Sequence, residues 1–167
     1  WLQDMILLSS LVSGALSIIH PQLYADGMRR IHALESWSTM NNSRMNRALS
    51  VWPTAFTNIS LIANQSTPLH CDPQSRCDWF DMIINVGEYD HCTMAIPTLG
   101  VELLYKPGTA VAFSGRLLQH GVNAVEGNRY CLTYYMRDNI HYWAKVPRCA
   151  DWMRMDSLED ALRPTLL

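Results

Sequence analysis

Lysine is almost missing from this chain: only Lys106 and Lys145 stand among its 13 basic residues, and 15 acidic residues leave a formal net charge of -2. A protein dedicated to coating nucleic acid usually carries a basic surplus, so the charge gives no positive sign of such a role. No Cys-x-x-Cys pair is present, and the five cysteines (Cys71, Cys77, Cys92, Cys131 and Cys149) are an odd number. A disulfide framework is therefore disfavoured, and a zinc site built on Cys71 or Cys77 lacks a second cysteine pair. The simplest compartment is a reducing, intracellular one. No apolar run reaches the ~20 residues of a membrane span. The longest, Met5 to Ile19, is interrupted by Ser9, Ser10, Ser13, Gly14 and Ser17, and it lacks the basic flank of a secretory signal. A packed helix is the reading, with no membrane association. Opening at Trp1 rather than methionine is what a fragment or processed chain would show. Internal repeats and low-complexity stretches are absent too.

What remains is the composition of one globular domain. The 167 residues are 49% hydrophobic and 17% charged, and a chain of this size buries roughly two thirds of its unfolded surface. Residues 1–50 read as helical. Leu7, Leu8, Leu11, Leu16 and Ile19 recur at helical spacing, His20-Pro21 breaks the run, and Pro21 suits the first turn of a second helix. Leu23, Met28, Ile31 and Leu34 supply that helix with an apolar face. The polar stretch Ser36–Arg47 reads as a loop able to touch a ligand. From Pro53 the texture changes to short apolar segments between turn residues: Asn58–Ala63, Trp79–Val86, Thr93–Ile96, Val101–Tyr105, Ala110–Phe113, His120–Val125 and Tyr130–Met136. Close, regular spacing of this kind predicts a sandwich or barrel over 53–138. Strands alternating with helices, as a parallel sheet requires, are not seen. The tail, 139–167, returns to helix or irregular structure, with one short helix over Asp156–Leu162 ending at Pro164.

The chemistry concentrates in Thr67-Pro68-Leu69-His70-Cys71-Asp72, just after the Asn58–Ala63 strand. At a strand end, residues two apart share a face, so an imidazole and a carboxylate would project from one edge. His120, in Gln119-His120-Gly121, supplies a third ligand from a distant strand. Two histidines and one carboxylate form a facial triad that leaves open positions on iron. Nine residues on, Arg129 opens the next strand, where its planar fork could clamp a carboxylate of a co-substrate. Asn64, Ser66 and Thr67 are the nearest polar groups able to support ligands and co-substrate. His20, His32, His91 and His141 read as structural or surface residues.

The strings Thr67-Pro68-Leu69-His70-x-Asp72, Trp79-Phe80-Asp81, Lys106-Pro107-Gly108-Thr109, Phe113-Ser114-Gly115, His120-Gly121-Val122 and Tyr134-Tyr135-Met136-Arg137-Asp138-Asn139 resemble the TET/JBP dioxygenases, most closely the branch expanded in mushroom-forming fungi. The resemblance covers about half the chain. It implies a double-stranded β-helix, a cupin-like jelly roll, with N-terminal helices packed outside it. It also implies Fe(II), 2-oxoglutarate and O2, with iron at His70, Asp72 and His120 and 2-oxoglutarate at Arg129. The family oxidises methyl groups on nucleobases: 5-methylcytosine in one branch, thymine in the other, and N6-methyladenine in some fungal members. Two departures stand out: Cys71 lies between the ligands where the fungal branch is often basic, and Gln65 takes a place where relatives tend to carry arginine.

DNA carrying a methylated base is then the expected partner, the nucleus the expected compartment and a monomer the expected state. A base inside a duplex must be flipped to reach a metal, which calls for an aromatic platform. Tyr135 is the candidate, if Tyr134 and Tyr135 alternate between core and groove. Arg76, close after Asp72, is a second candidate substrate contact, and the loop Gln74–Asp78 should border the site. Arg137, Asp138 and Asn139 could read base edges or phosphate, but a stretch rich in Asp and Asn reads first as a turn. Two other functions stay open: hydroxylation of a small molecule or a protein side chain, and a binding module without chemistry.

Overall fold

The computed structural model describes residues 1–146. The chain divides into compact units, one containing Trp1–Ala55 and the other comprising Phe56–Trp143. The predicted helix over Asp156–Leu162 lies outside the described residues.

The first unit is helical. Helix α1 spans Ile6–Ile19 and α2 spans Pro21–Asn41. The break between them is chemical: Pro21 has no N–H to give a preceding turn, and His20 caps α2 by accepting the Leu23 N–H on Nδ1 at 3.3 Å. The face predicted for α2 is only partly apolar, since its buried positions are Leu23, Asp26, Gly27, Arg30, Ile31 and Ser38. Ser36–Arg47 is not a loop. Helix α2 continues to Asn41 and α3 follows over Ser43–Leu49. The polar side chains that suggest a loop are satisfied on the helix itself: Ser36 Oγ donates to His32 O, Thr39 Oγ1 to Glu35 O and Asn41 Nδ2 to Trp37 O. Asn42 then caps α3 by accepting the Met45 N–H at 3.0 Å.

The second unit is a jelly roll of eight strands: β1 Asn58–Ala63, β2 Thr67–His70, β3 Asp81–Tyr89, β4 Thr93–Ile96, β5 Val101–Leu104, β6 Ala110–Phe113, β7 His120–Val122 and β8 Gly127–Tyr135. They form two four-stranded sheets, β1-β8-β3-β6 and β2-β7-β4-β5, and each strand pair is antiparallel. The chain crosses from one sheet to the other at every connection except the β4–β5 hairpin, which is the winding of a double-stranded β-helix. The core lies between the sheets, where Ile83, Phe113 and Cys131 of one meet Met94 and Ile96 of the other, with Tyr105 and Cys92 beside them. Strand β2 was not anticipated from sequence, and at the start of the tail, read as helix or irregular structure, Asp138–Trp143 is a short helix, α4. Among the described residues no helix is long and apolar enough to cross a membrane.

Candidate metal centre and co-substrate cavity

His70 ends β2 and His120 opens β7, and the two are direct cross-strand partners. Their rings lie 4.3 Å apart between centroids. Each ring is oriented in the same way, with Nδ1 at 2.9 Å from the carbonyl two residues earlier, Pro68 O for His70 and Leu118 O for His120. A carbonyl only accepts, so each Nδ1 carries a proton, and Nε2 is the ring atom left to ligate a metal. Asp72 lies between them, Oδ1 at 3.6 Å from His70 Nε2 and Oδ2 at 3.8 Å from His120 Nε2. Two donors on one ion at about 2.1 Å can stand up to roughly 4.2 Å apart, so both separations fit a shared metal. One donor atom from each of the three residues falls within 4.8 Å of the others.

The route to this geometry differs from the strand-edge argument. Asp72 is not in a strand. His70 closes β2, the chain leaves the sheet at Cys71, and Asp72 is fixed by its own N–H donating to Gly115 O at 2.8 Å. The loop after β6, not the pleat, aims the carboxylate. Gly115 is required there: a Cβ would stand 2.5 Å from Asp72 Oδ2.

Burial sets the protonation states. His120, with Phe113 edge-on at 4.8 Å, is held below the ordinary histidine pKa by desolvation, and His70 adds to this. It is neutral near pH 7, as a metal ligand must be. Asp81, at the start of β3, is pushed up to about 7, chiefly by burial and further by the Asp72 charge, against a hydrogen bond from Ser75.

A cavity of about 370 Å³ runs between the sheets, lined by all three candidate ligands and by Arg129, Tyr105, Thr67 and Tyr135. The ligand side is open: His70 and Asp72 side chains are 37% and 43% exposed. Arg129 sits at the closed side, 1% exposed. Its guanidinium donates to Asn85 Oδ1 at 3.2 Å and to Gln65 O, and it also hydrogen-bonds the Cys131 thiol. Among the described residues no carboxylate pairs with it. A buried cation without a counter-ion is costly, and an anionic ligand in this cavity would relieve that cost.

Asn64, expected to bind the co-substrate, does not line the cavity. It occupies a left-handed turn after β1 (φ 53°) and grips the Arg129 backbone: its Oδ1 accepts the Arg129 N–H at 2.7 Å and its N–H donates to Arg129 O at 2.8 Å. Arg76 does not line the cavity either, because Asp138 at 2.6 Å and the Trp79 ring at 5.2 Å hold its guanidinium. The neighbouring Gln74 and Ser75 do border it. Tyr134 is fully buried near Phe56, and Tyr135 lines the cavity with its hydroxyl 3.0 Å from Ser60 Oγ. Arg137 lies over the Tyr135 ring at 4.6 Å and hydrogen-bonds Gln74 across the cavity lining. Sequence reasoning passed over Asn85, Tyr105 and Asp81, and it favoured a turn for Arg137 over a substrate contact. The one visible signal was a lone asparagine inside the apolar run Met82-Ile83-Ile84-Asn85-Val86.

The family model for the TET/JBP oxygenase domain of the 2-oxoglutarate- and Fe(II)-dependent dioxygenase superfamily matches residues 2–138. The chain belongs to the TET/JBP family. Fe(II), 2-oxoglutarate and O2 are the cofactor and co-substrates of that superfamily, and the His70–Asp72–His120 cluster has the donor set for the metal. Among solved structures, the chain is similar to NgTET1 in complex with 5mC DNA, with a TM-score of 0.50, 14% identity, and coverage of 77% of this chain and 48% of that one. It thus spans about half the length of that relative, and the likeness shows the TET/JBP fold. A 2OG-Fe(II) oxygenase-family oxidoreductase from Burkholderia pseudomallei (TM-score 0.37, 18% identity, 59% and 54% covered) and hydroxypropylphosphonic acid epoxidase from S. wedmorenis (0.31, 9%, 46% and 43%) are more distant. No curated protein sequence matches the chain.

Proposed function

We propose that the protein oxidises the methyl group of a methylated base in DNA, 5-methylcytosine or N6-methyladenine, as a step towards demethylation. The observation that carries this reading is the joining, in one cavity, of a two-histidine, one-carboxylate cluster, a buried arginine with no carboxylate partner among the described residues and a tyrosine ring. Membership of the TET/JBP family and the likeness to a TET protein solved with 5mC DNA support the choice of substrate.

When bound, Fe(II) with 2-oxoglutarate and O2 supplies the oxidising power to hydroxylate a methyl C–H bond. His70 and His120 would hold the metal through Nε2 and Asp72 through its carboxylate. Arg129 would take the far carboxylate of 2-oxoglutarate on the closed side of the cavity, its fork held in place by Asn85 and Gln65. Tyr135, tied to Ser60, would offer a ring edge or face to a flipped base on the open side, with Arg137 and Gln74 beside it. A nuclear location follows from this substrate.

The test is direct. The protein is incubated with Fe(II), ascorbate, 2-oxoglutarate and oligonucleotides carrying each methylated base, and the digested nucleosides are weighed by mass spectrometry. Loss of one methylated nucleoside with gain of its oxidised form is expected. Succinate formed with all oligonucleotides unchanged would move the substrate to a small molecule or protein side chain.

A further inference from the structure

We propose that Asp81 is a positioning residue for the metal centre: its buried carboxyl closes a ring of hydrogen bonds, through Ser75 and Gly115, that fixes the backbone on both sides of Asp72. This rests on the reading of His70, Asp72 and His120 as metal ligands and adds to it what holds the one ligand that no strand carries.

The two histidines are held by strand pairing and by a carbonyl on each Nδ1, whereas Asp72 lies in a loop with its side chain 43% exposed. Its aim therefore depends on its backbone. The sequence Asp72-Pro73-Gln74-Ser75 suits a tight turn, with Asp first and Pro second, and the Ser75 N–H donates to Asp72 O at 3.2 Å. On the other side the Asp72 N–H donates to Gly115 O at 2.8 Å. Both arms lead to Asp81. Ser75 Oγ donates to Asp81 Oδ1 at 3.3 Å, and the Gly115 N–H donates to the same carboxyl. The ring Asp72–Gly115–Asp81–Ser75 is thereby complete.

Asp81 can be its hub because the sheet fixes it. It opens β3 opposite Phe113 of β6, just before Gly115, and is 3% exposed. A carboxyl is costly to bury, and a hydrophobic residue would pack here without that cost. The two carboxyls also flank Gly115, where an added Cβ would meet Asp72 Oδ2 at 2.5 Å and Asp81 Oδ2 at 2.8 Å. Carboxyls this near repel when both are charged, a further cost that the hydrogen bonds accepted by Asp81 must offset. The rest of the loop is held independently: Arg116 donates to Pro73 O and Ser114 Oγ to Cys77 O, each at 2.8 Å. Loss of Asp81 should then free Asp72 without undocking the loop.

The experiment titrates the full chain with Mn(II) by calorimetry and records the visible absorption of its Co(II) form, for wild type, Asp81→Ala, Asp81→Asn, Ser75→Ala and Asp72→Ala. Asp81→Ala should weaken Mn(II) by about 10- to 100-fold, the usual effect of losing support for a ligand, and move the Co(II) band towards that of Asp72→Ala. In Asp81→Asn the amide oxygen can take the Gly115 N–H while the amide N–H donates to Ser75 Oγ, which accepts as readily as it donates, so affinity should stay within about threefold and the band should not move. Ser75→Ala, which cuts one arm, should fall between these two, and it carries the test if Asp81→Ala does not fold. Wild-type affinity and band in Asp81→Ala or in Ser75→Ala would overturn the proposal. So would an Asp81→Asn protein as weak as Asp81→Ala, because the ring would then not be what matters. Asp72→Ala separates two failures. If it loses Mn(II) while Asp81→Ala does not, Asp81 alone is misassigned. If it binds Mn(II) as wild type does, the placement of the metal falls with it.

Discussion

At Gly115 a Cβ would meet Asp72 Oδ2 at 2.5 Å and Asp81 Oδ2 at 2.8 Å. Gly115→Ala must therefore push one carboxylate aside, and the exposed one, Asp72, is freer to move than Asp81, which is only 3% exposed. Loss of ligand support of this kind typically costs 10–100-fold in metal affinity. Gly115→Ala is expected to weaken Mn(II) binding by that order, read by calorimetry, and unchanged affinity would show that the carboxylate is not aimed from this loop. Asp81 gives a pH signature in the metal-free protein. Its folded pKa, about 7, stands above the ordinary carboxyl value of 3.8, so the folded state holds a proton that the unfolded chain releases. Its contribution to stability is full below about pH 4 and is lost as pH rises towards 7. Asp81→Asn removes that titration, so its melting temperature should fall less than that of wild type between pH 4 and 7. Parallel profiles would mean that Asp81 ionises normally.

Elements were legible where a pattern belongs to one segment and lost where it depends on a partner. β1, β4 and β6 follow the alternation and turn residues read from the chain, residue for residue. β2 was missed because it is four residues long, contains Pro68 and lies at the edge of its sheet, where proline's missing donor is tolerated. The helical course of 36–47 was hidden because serine and asparagine favour loops unless their side chains find helical carbonyls, which is a property of the folded backbone. The site shows the same division. His70, Asp72, His120 and Arg129 are visible as a spaced set, whereas Asn85 and Tyr105 acquire meaning only when two sheets bring them beside Arg129. Asn42 offers a test at this scale. Its side chain satisfies one orphan N–H of α3, and replacing such a cap by alanine costs about 1 kcal/mol. Asn42→Ala should lower stability to urea by that order with Mn(II) affinity unchanged, and wild-type stability would dismiss the cap.

For the whole molecule, charge limits how the proposed DNA substrate could be held. The Phe56–Trp143 unit carries eight acidic residues, Asp72, Asp78, Asp81, Glu88, Asp90, Glu102, Glu126 and Asp138, against five cationic ones, Arg76, Lys106, Arg116, Arg129 and Arg137. Arg129 is buried and Arg76 is paired with Asp138, while Arg116 donates to Pro73 O at 2.8 Å. Few cations in this unit remain to meet phosphates, and Arg137 is the one that borders the cavity. Each phosphate neutralised adds about 0.9 to the magnitude of the slope of log affinity against log salt. For this unit the expected slope is therefore about -1 to -2, against roughly -10 for a protein that grips the backbone along its length. Binding by the whole chain to a methylated oligonucleotide, followed by anisotropy from low to moderate salt, measures it. A shallow slope with a preference for the methylated over the unmethylated strand would show that the flipped base, not the phosphate backbone, supplies the affinity. A steep slope with no such preference would transfer recognition to cations elsewhere in the chain and leave Tyr135 and Arg137 without a role in it.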